Sequence, residues 1–178
     1  MARRIKMMLL AGVVVPGIVA CGGSTEGSPT AEGGATSTES VALFDPCTGI
    51  PDDALSAAGV DPAAVERGAA GVDQDGWKIC TWQGQQHSVT VFSTGLTVQD
   101  FEQKPGNVDF QDVTVAGREG RQFRVNGASK DLLCDVVFPA KQGVVQLRVM
   151  SNVLLDNPAD PCETIQSVGT SIVPLLPN

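Results

Sequence analysis

Gly120–Met150 reads GRQFRVNGASKDLLCDVVFPAKQGVVQLRVM, three strand-like runs divided by glycine turns. The runs are Gly120–Val125, Asp131–Pro139 and Val144–Met150, and Asn126-Gly127 and Gly143 punctuate them. Asn-Gly between apolar runs is a strong turn signal, because both residues accept the positive φ that tight turns require. Side chains alternate across a strand, so Leu132, Cys134, Val136 and Phe138 share one face. Consecutive strands joined by short turns pair antiparallel, and this stretch predicts the heart of such a sheet.

Working outward, Phe110–Ala116 precedes the turn at Gly117, and Trp77–Gln83 and His87–Thr94 form a hairpin around Gly84. Cys80 and Trp82 fall on one face of their strand, and Trp77 alternates to the other. Pro51–Ala58 reads as a short helix with acidic residues in its first turn and Gly59 as its stop. Thr97–Gln103 predicts a helical turn ended by Pro105-Gly106. Asp160–Leu175 closes the chain as a helix. Its stripe of Cys162, Ile165, Gly169, Ile172 and Leu176 suits a sheet surface, and Gly169 and Pro174 weaken its end. The expectation is an α+β fold: a single antiparallel β-sheet of about five to six strands, N- and C-terminal helices packed on one face, and two disulfides.

Besides Cys21 the cysteines are Cys47, Cys80, Cys134 and Cys162, an even set with three connectivities. Asp45-Pro46-Cys47 and Asp160-Pro161-Cys162 repeat one tripeptide near opposite ends of the domain. In each, Asp serves as N-cap and Pro takes the first helical position, which puts Cys in the first turn. Two matching helix starts predict neighbouring terminal helices, hence Cys47–Cys162, leaving Cys80–Cys134 within the sheet. No C-x-x-C redox motif accompanies them.

The chain begins MARRIKMMLLAGVVVPGIVAC. A basic start, an apolar run too short to span a bilayer and Ile18-Val19-Ala20-Cys21 make residues 1–20 a lipoprotein signal. Cys21 is then the lipidation site, and its acyl chains anchor the protein at roughly 0.8 kcal/mol per buried CH₂. Residues 21–42, rich in Gly, Ser, Thr and Glu, read as a flexible tether with a span of roughly 25 Å. Residues 43–178 form the extracytoplasmic domain. Removing the signal takes Arg3, Arg4 and Lys6 from 12 basic side chains while all 20 acidic ones remain, so the net charge moves from −8 to −11. That balance opposes binding to nucleic acid, whose phosphates need neutralising cations.

His87 is the single histidine, which excludes a multi-histidine metal site. The chain has no G-x-S-x-G, Ser-x-x-Lys, P-loop or dinucleotide fingerprint. Asp73-Gln74-Asp75-Gly76 fits a calcium loop only with Gly71 and Trp82 where acidic ligands belong, so it reads as an acidic turn. These absences predict no catalytic residues, no cofactor and no metal. Arg118, Arg121 and Arg124 gather on one hairpin of an acidic chain and are the candidate contacts for an anionic ligand. Trp77, facing away from Trp82, is the candidate interface anchor.

The lipobox, the polar tether, Phe44-Asp45-Pro46-Cys47, Cys80-Thr81-Trp82, Cys134 and Asp160-Pro161-Cys162 come in a characteristic order. Over nearly its whole length the chain resembles the actinobacterial lipoproteins of a domain-of-unknown-function family found across mycobacteria and nocardiae. The resemblance implies an envelope location and paired cysteines, and it brings no catalytic residues. The functional expectation is a lipoprotein held to the outer face of the cell membrane through Cys21. Its domain would serve as a non-enzymatic interaction or assembly module for an envelope protein partner. The alternative is a carrier or sensor that holds a hydrophobic or cell-wall-derived ligand between the sheet and the terminal helix.

Overall fold

The computed structural model describes residues 42–178; the signal, Cys21 and the tether up to residue 41 lie outside the described residues. Two short helices, α1 (Pro46–Gly49) and α2 (Asp52–Ala57), precede strands β1 (Val65–Arg67), β2 (Trp77–Gln83) and β3 (His87–Thr94). Helix α3 (Val98–Gln103) leads into β4 (Asn107–Val115), β5 (Arg118–Val125), β6 (Leu133–Ala140) and β7 (Gly143–Ser151). Helix α4 (Pro161–Ile172) runs into a 3-10 turn at Val173–Leu175, where Pro174 removes a backbone donor.

All seven strands join one antiparallel sheet in the order β1-β2-β3-β7-β6-β5-β4. Two meanders therefore meet in the middle, where β3 pairs with β7 from His87↔Ser151 to Thr94↔Val144. The fold class is the one expected, with one strand more. That strand, β1, is a three-residue edge whose side chains are all exposed, so it carries no alternation to read. Ala116 and Gly117, at φ 50° and 81°, make the positive-φ turn that closes the β4–β5 hairpin. Asn126-Gly127 does not close a tight hairpin. The chain continues through a 3-10 turn at Lys130–Leu132, and β6 starts at Leu133 rather than Asp131.

Helices α1, α2 and α4 cover one face of the sheet. Beneath them Trp82, Val89, Val91, Val136, Phe138, Val145, Leu147 and Val149 pack against Leu55, Ile165, Val168 and Ile172. A side chain at Gly169 would drive into Val115, so glycine lets α4 lie close against β4. Helix α3 covers part of the opposite face, where Phe101, Phe123, Val137 and Val144 form a second, smaller cluster.

Each Asp-Pro-Cys start is built as the sequence predicts. Asp45 accepts from Cys47 N at 2.9 Å, and Asp160 from Cys162 N at 2.7 Å. The disulfides are nevertheless paired differently: Cys47 joins Cys80 and Cys134 joins Cys162, with Cα–Cα distances of 5.3 and 5.1 Å. The expected Cys47–Cys162 and Cys80–Cys134 pairs are thereby corrected, and the strand order supplies the reason. Cys80 and Cys134 share a face, but β3 and β7 stand between β2 and β6. Three strand spacings amount to about 14 Å, well beyond the roughly 7 Å Cα separation a disulfide can bridge. Each helix start is instead stapled to the strand beneath it.

Candidate ligand-binding cleft

On the face opposite α4, alternation brings Trp77 and Ile79 from β2, Phe92 from β3, Gln146 and Arg148 from β7, and Phe123 and Val125 from β5 to one surface. Helix α3 lowers Phe101 onto this surface, and the Lys104-Pro105 turn after it forms one rim. The capping box between Thr97 and Asp100 fixes where α3 begins. Its hydrogen bonds from the Thr97 backbone and side chain hold the Asp100 carboxyl below its ordinary range. The result is a cleft of about 360 Å³.

Its walls are aromatic. Trp77 meets Phe92 and Phe101 edge-on, each at a centroid distance of 6.2 Å, Phe101 lies 6.0 Å from Phe123, and Phe110 stacks on Phe123 at 5.3 Å. Five of the chain's eight Phe and Trp residues thus line or back this one surface, although the larger core lies on the other face.

Its floor is polar. Asp135 is fully buried, and Arg148 grips it from Nε to Oδ1 at 2.7 Å and from Nη2 to Oδ2 at 3.2 Å. Gln146 Nε2 donates to the same Oδ1. Burial pushes the Asp135 carboxyl up from its ordinary range, against the pull of the Arg148 guanidinium and the Gln146 amide. The guanidinium also lies over Phe92, with Cζ 5.2 Å from the ring centroid. Arg148 is thereby contacted by the Asp135 carboxyl and by the Phe92 ring.

The structure separates the three arginines of the β4–β5 hairpin. Arg118 and Arg124 project to the helix-covered face and Arg121 to the other. Arg118 donates to the carbonyls of Pro139, Leu176 and Pro177 and so straps down the end of the chain. Arg121 pairs with Glu102 and Asp112 at 2.7 and 3.0 Å. Arg124 pairs with the α4 cap Asp160 at 2.7 Å and donates to the carbonyls of Lys130 and Leu133. They do not form one site. Trp77 does lie on the face opposite Trp82, half-buried in the cleft wall. His87 Nε2 lies 3.0 Å from the Ala58 carbonyl oxygen, where it ties β3 to the end of α2. Among the described residues no group of three or more His, Cys, Asp or Glu side chains is placed to hold a metal ion.

Asp135, Gln146 and Arg148 escape a motif search, but they leave a mark in the sequence. Each is a polar interruption in an apolar strand, at Leu133-Cys134-Asp135-Val136-Val137 and Val145-Gln146-Leu147-Arg148-Val149. Since the three share a face, the interruptions meet.

Helices stapled to one side of an antiparallel sheet and an aromatic cleft on the other define a small, disulfide-bonded α+β domain. The chain belongs to the family described as protein of unknown function (DUF3558), which matches residues 16–175. No curated protein and no solved structure matches it.

Proposed function

We propose that the chain is a cell-envelope lipoprotein, anchored through Cys21 to the outer face of the membrane, with a non-enzymatic binding domain that acts through its cleft face. The inequality of the two sheet faces carries this reading. One face is filled and covered by helices, and the other opens into an aromatic-walled cleft. Aromatic side chains at a concave surface are the usual anchors of recognition. The signal, the tether and Cys21 support the location.

A protein partner of the envelope is one occupant of that face. The cleft itself favours the second reading, a carrier or sensor of a small ligand. The layer between sheet and α4, where the sequence places such a ligand, is filled by Trp82, Phe138, Ile165 and Ile172, all 2% exposed or less. Ligand binding therefore moves to the opposite face.

Two measurements test the proposal on the full chain in its own envelope. Cys21→Ala is expected to shift the protein from the membrane fraction to the soluble one; unchanged membrane retention overturns the anchor. A photo-crosslinking residue replacing Trp77 is expected to capture a specific species, and one replacing Ser167 on the exposed side of α4 is not. Equal capture at both positions, or none at Trp77, overturns the cleft face as the binding surface.

A further inference from the structure

The cleft combines an apolar wall with an excess of positive charge in an otherwise acidic chain. Arg148 and Lys104 line it, and the fully buried Asp135 supplies one carboxylate against them. The bidentate grip of Asp135 consumes Nε and Nη2 of Arg148. Among the described residues Nη1 has no protein acceptor, and the guanidinium lies over the Phe92 ring. Lys104 sits exposed on the turn after α3, on the same rim. Fixed N–H donors beside an exposed ammonium suit the oxygens of a carboxylate or phosphate. Trp77, Ile79 and Phe92 offer the adjoining apolar surface, backed by the buried Phe101 and Phe123.

Size narrows the class further. At about 360 Å³ the cleft lies at the low end of ligand pockets, which run from roughly 300 to 1,000 Å³. It suits one short chain or ring system rather than a two-chain lipid.

We propose that the cleft binds a small amphipathic anion, its carboxylate or phosphate head held by Arg148 and Lys104 and its single apolar body laid against Trp77 and Ile79, which the buried Phe101 and Phe123 back. The inference rests on the small-ligand reading of the cleft face. It identifies the ligand by head charge and size, and it makes Asp135 a positioning residue that aims Arg148.

The test is calorimetric titration of the full chain carrying Cys21→Ser with octanoate, octyl phosphate and octyltrimethylammonium, each below its micellar concentration. At least one anion is expected to bind at one site per chain, about tenfold or more tighter than the cation, as a charge-assisted contact implies. The two anionic arms separate a carboxylate head from a phosphate head. Lys104→Glu, on an exposed turn, is expected to weaken the anion about tenfold with folding unchanged. Arg148→Gln combined with Asp135→Asn, which leaves no buried charge alone, is expected to remove the preference for anions. Equal binding of all three heads, no binding of either anion, or anion binding indifferent to Lys104→Glu overturns the proposal. Capture at position 77 in the envelope combined with no anion binding would leave the binding-domain reading standing and sink only the ligand class.

Discussion

Asp135 is the one acidic or basic side chain that is buried among the described residues. It has no exposed surface, and its charge is balanced by Arg148, whose side chain is 28% exposed. A buried ion pair of this kind rarely outperforms an apolar pair of the same volume, so its presence calls for a reason such as aiming the guanidinium. Burial raises the Asp135 carboxyl above its ordinary 3.8. Between 3.8 and the raised value the folded chain holds a proton that the unfolded chain has released, so this carboxyl's contribution to stability falls as pH rises through that window. Asp135→Asn has no such proton to lose. Its stability relative to the parent chain is therefore expected to improve from acid, below 3.8, to neutral pH. Urea unfolding of both proteins at the two pH values checks this; a constant difference would show that Asp135 does not titrate in that sense.

The elements on the helix-covered face depend on covalent and ionic staples because two of them are too short to stand alone. Helix α1 has four residues and α2 six, whereas isolated helices are marginal in water below roughly 12–15 residues. Cys47–Cys80 and Cys134–Cys162 close segments of 33 and 28 residues. The chain-entropy model gives each a ceiling of about 3.7 kcal/mol, which native strain or denatured-state structure lowers. Non-reducing peptide mapping is expected to recover these two pairs. Replacing both cysteines of one pair by alanine is expected to cost up to that amount in urea unfolding.

Arg124 supplies the ionic counterpart. It ties β5 to the cap of α4 and to the connection before β6, with its side chain 17% exposed. Arg124→Met is expected to cost about 2 kcal/mol, since charged hydrogen bonds are lost and two carbonyls lose a donor. Arg121 is on the opposite face, and its partner Asp112 is 94% exposed. Arg121→Met is therefore expected to cost less than about 1 kcal/mol. Equal losses in the two variants would contradict the distinction drawn between them.

At the scale of the whole molecule, local pattern and long-range pairing divide the fold between them. Trp77–Gln83 and His87–Thr94 were legible to the residue because alternation ends abruptly at polar turns. The Asp-Pro starts of α1 and α4, the Pro174 break and the opposed faces of Trp77 and Trp82 were legible for the same reason: neighbours in sequence decide them. The three arginines of one hairpin could be counted, but their separation depended on distant carbonyls and carboxylates. The six readable strands, the α+β class, the two helix caps and the even cysteine set were determined by the sequence itself, since backbone period, capping and turn chemistry act over a few residues. Only the tertiary structure decided which cysteines meet, that α4 leaves no room above its side of the sheet, and that Asp135, Gln146 and Arg148 converge beneath an aromatic wall. The physical reason is the junction of β3 with β7, which joins two meanders into one sheet. That pairing sets how many strands separate any two residues on a face, and it is a property of non-local hydrogen bonding that no local pattern encodes.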